Sequence, residues 1–181
     1  FIKNFKLHSS HCRAFCVLSQ NAIFKKFDKM RKLLKGYLRK NVWITILSPE
    51  QSNYRYSINP TFETLLFILL ENAIKYSPKN KPVEVIFEEN GQLLDVTIKS
   101  IGPYCDENEI VHLCEKGFRG ENAKIAQERG QGFGLSFARK ICAAHNVGLT
   151  FQSIYSHKDH SVKYGAFHVK LHFDHDLQPD Y

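Results

Sequence analysis

With 181 residues, 43% of them hydrophobic, the chain is long enough to form one globular domain with a sizeable core. No apolar run reaches the roughly 18 residues that a membrane span needs. Five irregularly spaced cysteines argue against a disulfide scaffold and for free thiols. The net charge of +7 is concentrated in residues 25–40, where basic residues mix with leucines at helical spacing. We therefore interpret this charge as a solvated helix face, or as a docking surface for another domain, rather than as a nucleic-acid interface.

The N-terminal segment precedes the predicted domain. We expect residues 1–26 to be the end of an upstream helical region and residues 27–181 to form the domain, in a chain cut from a longer protein. Residues 28–39 predict a basic amphipathic helix. Its inward-facing residues are Met30, Leu33, Leu34 and Leu38. The β-branched and aromatic residues of 42–47 predict a strand, and the alternating segment 54–58 is expected to pair with it as a hairpin.

A long helix is predicted over residues 60–77. Asn59 and Pro60 are typical of an N-cap and a first helical position, and the residue before Pro78 is pushed out of the helical region. Apolar residues recur at helical spacing between these ends, which predicts one stripe buried in a core. They are Phe62, Leu65, Leu66, Leu69 and Ala73.

Two strands are predicted next, at 82–89 and 93–100. They are joined across Asn90 and Gly91, a pair typical of a tight hairpin. The connector that follows is long and rich in charges and glycines, which is typical of a functional lid or of a disordered segment. We place this lid at 102–130.

The chain closes with a predicted helix over 134–145 and predicted strands over 147–155 and 163–173. Hairpins dominate over regular βαβ alternation. This order predicts an α+β sandwich in which a mixed sheet has helices packed on one face.

The helix at 60–77 carries other residues beside its buried stripe. Ile68, Asn72, Lys75 and Tyr76 share one face at about 100° per residue. An Asn at the edge of a core can be a structural amide. Alternatively, its carbonyl oxygen can ligate a metal while the Lys ammonium binds phosphate, as a nucleoside triphosphate requires.

Two glycine-bearing segments follow. Gly130, Gly132 and Gly134 open the next helix, where a phosphate could approach the backbone and the free amides of the helix start. A flexible lid hinge needs the same residues, and the spacing fits neither a Walker A loop nor a Rossmann fingerprint. Ser100 and Gly102 come directly after a strand. They form either an ordinary turn or a hydroxyl that hydrogen-bonds a base, with the glycine leaving room for the ring.

Two groups of potential metal ligands carry less weight. His8, Cys12 and Cys16 would share a helical face, but a structural zinc site requires four well-placed ligands. His168 and His172 would point to the same side of a strand without an accompanying carboxylate. We therefore interpret the cysteines as free and these histidines as surface residues.

In their order along the chain, these pieces resemble the ATP-binding domain of sensor histidine kinases. ENAIKYSP at 71–78 resembles the N box, SIGP at 100–103 the first glycine box, LCEKGFRG at 113–120 the F box and GFGLSFARKI at 132–141 the second glycine box. The resemblance runs over about residues 27–173 and extends to the larger family shared with gyrase, MutL and a heat-shock chaperone. It implies the Bergerat fold, a two-layer α/β sandwich with a mixed sheet packed under three helices.

The resemblance also implies a role for each matching residue. Asn72 would ligate Mg²⁺, and Lys75 would approach the phosphates of ATP. Tyr76 would line the pocket, and Ser100 would recognise adenine above Gly102. The remaining cofactor-binding residues, on the phosphate side, would be Arg119 in the lid, the loop glycines Gly130, Gly132 and Gly134, and Leu135.

Four positions differ from the family pattern. Ser100 replaces an aspartate that accepts a hydrogen bond from the adenine amino group, and a hydroxyl makes a weaker, uncharged bond. Tyr104 replaces a glycine, and Cys114 replaces a phenylalanine of the F box. Ile68 stands where relatives have Asn or Glu, and isoleucine can act on neither metal nor water. Glu71 is the remaining catalytic candidate, although its side chain points about 100° away from that of Asn72 around the helix. Because of these differences, we expect nucleotide binding to survive better than catalysis.

Two functions follow from these residues. The first is a histidine-kinase domain that transfers the γ-phosphate of Mg-ATP to a histidine on an upstream or partner domain, with a response-regulator-like protein as a further partner. The second is a degenerate nucleotide-binding regulatory module whose lid switches partner contacts without phosphotransfer. His8 and His11 do not fit the acceptor pattern. The resemblance implies a cytoplasmic domain of a parent protein that can be membrane-anchored or dimeric, and no nucleic-acid partner is expected.

Overall fold

The computed structural model describes residues 16–37, 42–47, 55–58, 61–90 and 93–174. These residues form a five-stranded sheet, a two-stranded sheet and five helices. In chain order the elements are β1 (Cys16–Ser19), α1 (Gln20–Tyr37), β2 (Ile44–Leu47), β3 (Arg55–Ile58), α2 (Phe62–Tyr76), β4 (Val83–Asn90), β5 (Leu93–Pro103), α3 (Glu107–Ile110), α4 (Glu121–Ala126), α5 (Gly134–Ala144), β6 (Val147–Asp159) and β7 (Val162–Asp174).

The main sheet has the strand order β2-β4-β5-β7-β6 and is mixed. β2 runs parallel to β4, next to a 2.9 Å hydrogen bond that Val83 N donates to the Trp43 carbonyl. The other three pairs are antiparallel. Alternate residues near the end of β5, including Ser100 and Gly102, are buried because successive side chains of a strand point to opposite faces. One face of the sheet therefore forms the floor of the core.

The helices α1, α2 and α5 pack on that face. Their core residues are Ile23, Phe27, Met30 and Leu34 on α1, Phe62, Leu65, Leu66, Leu69, Leu70, Ala73 and Ile74 on α2, and Ala138, Ile141 and Cys142 on α5. Edge-on aromatic pairs join helices to strands, with centroids 5.4 Å apart for Phe27 and Phe87 and 5.8 Å apart for Phe62 and Phe173. The predicted α+β fold, a two-layer α/β sandwich with a mixed sheet under three helices, is confirmed.

The expected hairpin between 42–47 and 54–58 is wrong. β2 pairs in parallel with β4, which places Ile44 opposite Val83, and β3 pairs antiparallel with β1. An alternating pattern predicts a strand but not its partner. The parallel pairing buries Ile44 in the core, and this burial fixes the register.

The first helix begins earlier than predicted. α1 starts at Gln20 rather than Asp28, directly after β1. Ser19, a residue type that favours the N-cap position, stands just before it and could have indicated this start. Residues 26 and 27 therefore both lie within α1, and the proposed domain boundary between them stays a prediction.

The inward face of α1 differs from the prediction at one position. Met30 and Leu34 are buried as expected, whereas Leu33 is 55% exposed. Leu38 lies outside the described residues. The stripe of α1 is therefore narrower than the leucine pattern indicated.

The C-terminal end of α2 and the β4–β5 hairpin agree with the sequence, whereas α2 begins at Phe62, two residues later than predicted. α2 ends at Tyr76, and Ser77 has an extended ψ of 138°, as expected before a proline. Asn90 pairs with Leu93, which confirms the hairpin, while its turn residues lie outside the described part of the chain. The N-cap predicted at 59–60 also lies outside it.

The predicted lid is folded. β5 continues to Pro103, and the connector contains the short helices α3 and α4. β6 and β7 are longer than predicted and form a hairpin whose inner ends are Asp159 and Val162.

The expectation that no carboxylate accompanies His168 and His172 is wrong. His172 Nδ1 lies 2.7 Å from Asp95 Oδ1, since β5 and β7 pair at this register. Within the described residues no three His, Cys, Asp or Glu side chains come together as a metal site, whereas His8 and Cys12 lie outside them. None of the helices in the described ranges is long and apolar enough to cross a membrane.

Candidate nucleotide-binding site

A cavity of about 290 Å³ opens between α2, the main sheet, the lid and the start of α5. Its buried end is apolar. The residues there include Leu69, Ala73, Leu113, Phe167 and Val169. Its outer part carries the polar and charged side chains Glu71, Asn72, Lys75 and Arg119 together with the glycine loop. An apolar cavity with a few convergent polar groups suits an organic ligand, and here the cationic groups favour one with an anionic end.

Ser100 and Gly102 lie at the buried end of the cavity. Ser100 is 8% exposed, and its hydroxyl donates to the Phe167 carbonyl over 3.5 Å, which is long for a hydrogen bond. A Cβ placed on Gly102 would approach Phe167 Cβ to 3.5 Å, an ordinary contact. The protein alone would therefore accept alanine at this position, and the missing methyl group leaves space in the cavity.

Four residues of α2 line the cavity. They are Glu71, Asn72, Lys75 and Tyr76. The half-buried side chain of Asn72 lines the cavity, so its amide can contact a ligand. Lys75 Nζ lies 5.3 Å from the centroid of the Tyr76 ring and 3.4 Å from the position of a Cβ on Gly130. The ammonium group therefore stands against the glycine loop.

Ile68 is not among the residues that line the cavity. Its Cγ2 lies 3.5 Å from the position of a Cβ on Gly134, and the side chain packs against the hydrophobic core. Ile68 therefore supports the start of α5. An apolar side chain in this place cannot polarise water or ligate a metal.

The glycine loop is shaped by a close backbone crossing. Gly132 has a φ of +70°, and a Cβ on it would lie 2.5 Å from the Phe118 carbonyl oxygen. Gly117 N donates to the Gly132 carbonyl over 3.1 Å. Only glycine fits at 132 for both reasons. The crossing brings the loop to the cavity immediately before α5, whose first amides have no partner within the helix.

Arg119 holds the lid together. Its Nη1 donates to the carbonyls of Glu128 and Gly130 over 3.2 and 3.3 Å. Its Nη2 donates to the carbonyl of Ala123 over 3.0 Å and to that of Gln127. The buried Nε lacks a hydrogen-bond partner among the described residues and lies 3.5 Å from the position of a Cβ on Gly130. This remaining N–H could bind an anionic oxygen.

Tyr104 does not close the cavity, although it stands at a position where a glycine was expected. It is absent from the lining, and its ring packs edge-on against Tyr155 with centroids 5.6 Å apart. Asn122 Nδ2 donates to the Tyr104 carbonyl over 2.9 Å, and Lys163 N donates to Asn122 Oδ1 over 3.0 Å. Asn122 thus anchors α4 to both β5 and β7.

The thiols of the site are not activated. Burial, with smaller effects from Glu109 and Asp106, raises the pKa of Cys105 to about 12. Burial also raises the pKa of Cys114, and Arg139 opposes that rise only in part. Neutral thiols are poor nucleophiles, so Cys105 acts as an apolar lining residue.

The structure brings every site residue indicated by the sequence to one cavity. These residues are Glu71, Asn72, Lys75, Tyr76, Ser100, Gly102, Arg119, Gly130, Gly132, Gly134 and Leu135. The sequence did not indicate Phe118, Ala123, Phe167 or Val169, which also line it. Phe167 and Val169 reach the site only through the β5–β7 pairing, where Phe167 stands opposite Ser100, and no local motif signals that contact.

Comparison with known proteins identifies the family. Residues 58–175 match the family model described as "Histidine kinase-, DNA gyrase B-, and HSP90-like ATPase". The sensor histidine kinases YvrG and YkoH of Bacillus subtilis are 34% identical over 85 residues and 36% identical over 89 residues. These matches cover 47% and 49% of this chain but only 14% and 19% of those two proteins. The chain therefore spans a small part of the length of these relatives.

Solved structures agree in fold. The mycobacterial sensor histidine kinase MprB matches with a TM-score of 0.65 at 16% identity, over 90% of this chain and all of that one. The catalytic domain of the histidine kinase ThkA, in a nucleotide-free form, matches with a TM-score of 0.66 at 18% identity, over 89% of this chain and 97% of that one. Because the family model covers more than half of the sequence, this chain belongs to the family of histidine kinase-, DNA gyrase B- and HSP90-like ATPases.

Proposed function

We propose that this domain binds Mg-ATP and supplies the γ-phosphoryl group to a histidine on an upstream domain or a partner protein, from which a response-regulator-like protein takes it. In this transfer a ring nitrogen of the acceptor histidine forms a bond to phosphorus, the bond to the bridging oxygen breaks, and ADP leaves. The chemistry depends mainly on positioning and on neutralising the phosphate charge.

One observation carries this proposal. Lys75 Nζ from α2 and the Arg119 guanidinium from the lid lie 3.4 and 3.5 Å from the position of a Cβ on Gly130, four residues before α5. Two cations and a glycine loop thus converge at one end of an apolar cavity. A nucleotide has the matching parts, a flat ring system at one end and a polyphosphate at the other.

The residues also fit a magnesium ion. Mg²⁺ prefers oxygen ligands and usually combines one or two protein oxygens with the phosphates of its substrate. The Asn72 amide and the Glu71 carboxylate both line the cavity near Lys75, and they would hold the ion. When bound, the ion would neutralise phosphate charge during the transfer. Asn72 and Lys75 would orient the polyphosphate.

Ile68 supports a second candidate function. Its side chain supports α5 from within the core and leaves no polar group at a position where the resemblance implied one. A domain of this kind could bind nucleotide and reorder its lid without transferring phosphate, as a regulatory module. The two functions share the binding site and differ in the chemical step.

Calorimetry tests the shared site. Mg-ATP should bind the wild-type chain, and Asn72→Ala should weaken the magnesium-dependent binding by about tenfold or more, because a ligand oxygen is lost. Asn108→Ala is the matched control, since Asn108 is exposed on α3. Unchanged affinity in Asn72→Ala would remove this residue from the site, and no binding to the wild type would overturn the proposal.

Labelling separates the two functions. Full-length parent protein incubated with γ-labelled ATP should acquire phosphate that is lost in acid and retained in base, the behaviour of phosphohistidine. If the protein binds ATP under the same conditions but acquires no such label, the regulatory module is the correct function.

A further inference from the structure

We infer that Ser100 makes the site indifferent to the group at carbon six of a purine, so that triphosphates with an oxo group there bind about as tightly as ATP. The inference rests on the proposed nucleotide site and concerns which base that site accepts.

The formal charges of the cavity belong to α2 and the lid. Among the described residues that line it, Glu71, Lys75 and Arg119 are the ones that carry formal charge. Lys75 and Arg119 meet at Gly130, an exposed residue of the glycine loop. Glu71 precedes Lys75 by about one helical turn on α2. No formally charged side chain among the described lining residues comes from β5 or β7, the strands that carry Ser100 and Phe167.

Ser100 is the polar side chain at the buried end. Its neighbours in the cavity include Leu69, Val169 and Phe167, which are apolar, and Cys105, whose neutral Sγ donates to the Pro103 carbonyl over 3.8 Å. The other hydroxyl and amide side chains of the lining belong to α2 or to the exposed glycine loop. A base that fills this end can therefore use Ser100 as its side-chain hydrogen-bond partner.

A serine hydroxyl can act in both directions. It can donate one hydrogen bond and accept others, whereas an ionised carboxylate can only accept. Among the described residues, the Ser100 hydroxyl has one hydrogen-bond contact, the 3.5 Å one with the Phe167 carbonyl. It can accept from an amino group, or rotate and donate to an oxo group. Either group at carbon six is therefore paired by Ser100, and donation to the oxo group costs the hydroxyl only this long contact.

Two purine nucleotides with an amino and an oxo group at carbon six test the inference, and because they also differ at N1, the ratio of their affinities is compared between the wild type and Ser100 variants. Dissociation constants of Mg-ATP and Mg-inosine triphosphate should agree within about tenfold for the wild-type chain. Ser100→Asp should shift the ratio toward ATP by about tenfold or more, because a carboxylate cannot donate to an oxo group. Ser156→Asp is the control, because Ser156 is exposed on β6 and this substitution adds the same charge away from the cavity. It should leave the ratio unchanged.

Each other outcome decides against the inference. A wild-type preference for ATP well above tenfold would overturn it, and so would an unchanged ratio in a folded Ser100→Asp variant. If that variant does not fold, Ser100→Ala replaces it. Ser100→Ala should weaken both nucleotides by the same factor, and an altered ratio would exclude Ser100 as the shared partner. Failure of the wild type to bind either nucleotide would instead refute the nucleotide site itself.

Discussion

Gly102 and Gly165 face each other across β5 and β7, yet they are glycines for different reasons. A Cβ on Gly165 would lie 2.5 Å from the Ile154 carbonyl oxygen, beside the β-bulge in β6. A Cβ on Gly102 would make only an ordinary contact with Phe167. The backbone therefore requires glycine at 165, whereas at 102 the protein itself does not, and we propose that the ligand does.

Alanine substitutions should separate these two requirements. Gly165→Ala should lower the free energy of unfolding by about 1–3 kcal/mol, because the strand pair must move apart. Gly102→Ala should change it by less than about 0.5 kcal/mol but raise the dissociation constant of Mg-ATP by about tenfold or more, since the methyl group fills ligand space. Chemical denaturation and calorimetry measure the two effects. Wild-type affinity in Gly102→Ala would show that the base does not reach this glycine.

At the scale of elements, β7 carries a pH-sensitive residue. Burial, with a smaller contribution from Lys99, lowers the pKa of His168 below its ordinary value of 6.5. His168 pairs with Lys99 on β5 and with Gln152 on β6. The unfolded chain takes up a proton before the folded one as the pH falls. Stability from this residue is therefore present above pH 6.5 and is lost as the pH falls from there toward the lowered value.

Replacing this histidine should remove its part of the pH dependence. In His168→Gln, the free energy of unfolding should fall less between about pH 7.5 and pH 5.5 than in the wild type. His160→Gln is the control, because the His160 side chain is 94% exposed at the β6–β7 turn. Denaturant melts at both pH values measure the difference. If the free energy of unfolding fell equally between these pH values in His168→Gln and in the wild type, the prediction would be contradicted.

The hydrogen bonds of Arg119 hold the lid together. Its bonds to four carbonyls hold the end of α4 and the segment up to Gly130 in place. Arg119→Ala should therefore loosen this segment and speed trypsin cleavage after the exposed Arg129 by about tenfold, since cleavage follows local opening. Lys124→Ala, an exposed change on α4, should not alter the rate. An unchanged rate in Arg119→Ala would show that the lid is held by Asn122 instead.

The sequence predicts elements well where the signal is local. The spacing of Leu65, Leu66 and Leu69 defines the buried face of α2, and the extended residue before Pro78 defines its end. Partners that are distant in the chain leave no such signal. The parallel pairing of Ile44 with Val83, and the contact of Asp95 with His172, depend on how strands are ordered in the sheet. Ser100 and Gly102 belong to a local motif and could be predicted at the site. The residues of β7 reach the site only through strand pairing and could not be predicted.

At the scale of the whole molecule, the site is built from one contiguous part of the chain. Every described residue that lines the cavity lies at or after Leu69. α1 and β2 belong to the same core, but they contribute none of these residues. The family match, over residues 58–175, covers the same part of the chain.

The edge position of β2 has a consequence for how the domain opens. β4, β5, β7 and β6 are consecutive antiparallel neighbours, whereas β2 joins them at one edge through a short parallel pairing. Native-state hydrogen exchange should therefore find β2 amides exchanging faster than those of β5, because edge pairs open locally while central strands exchange only with wider unfolding. Equal rates would show that edge and centre open together. Because β2 contributes no residue to the cavity, an edge that opens alone would leave the proposed nucleotide site intact.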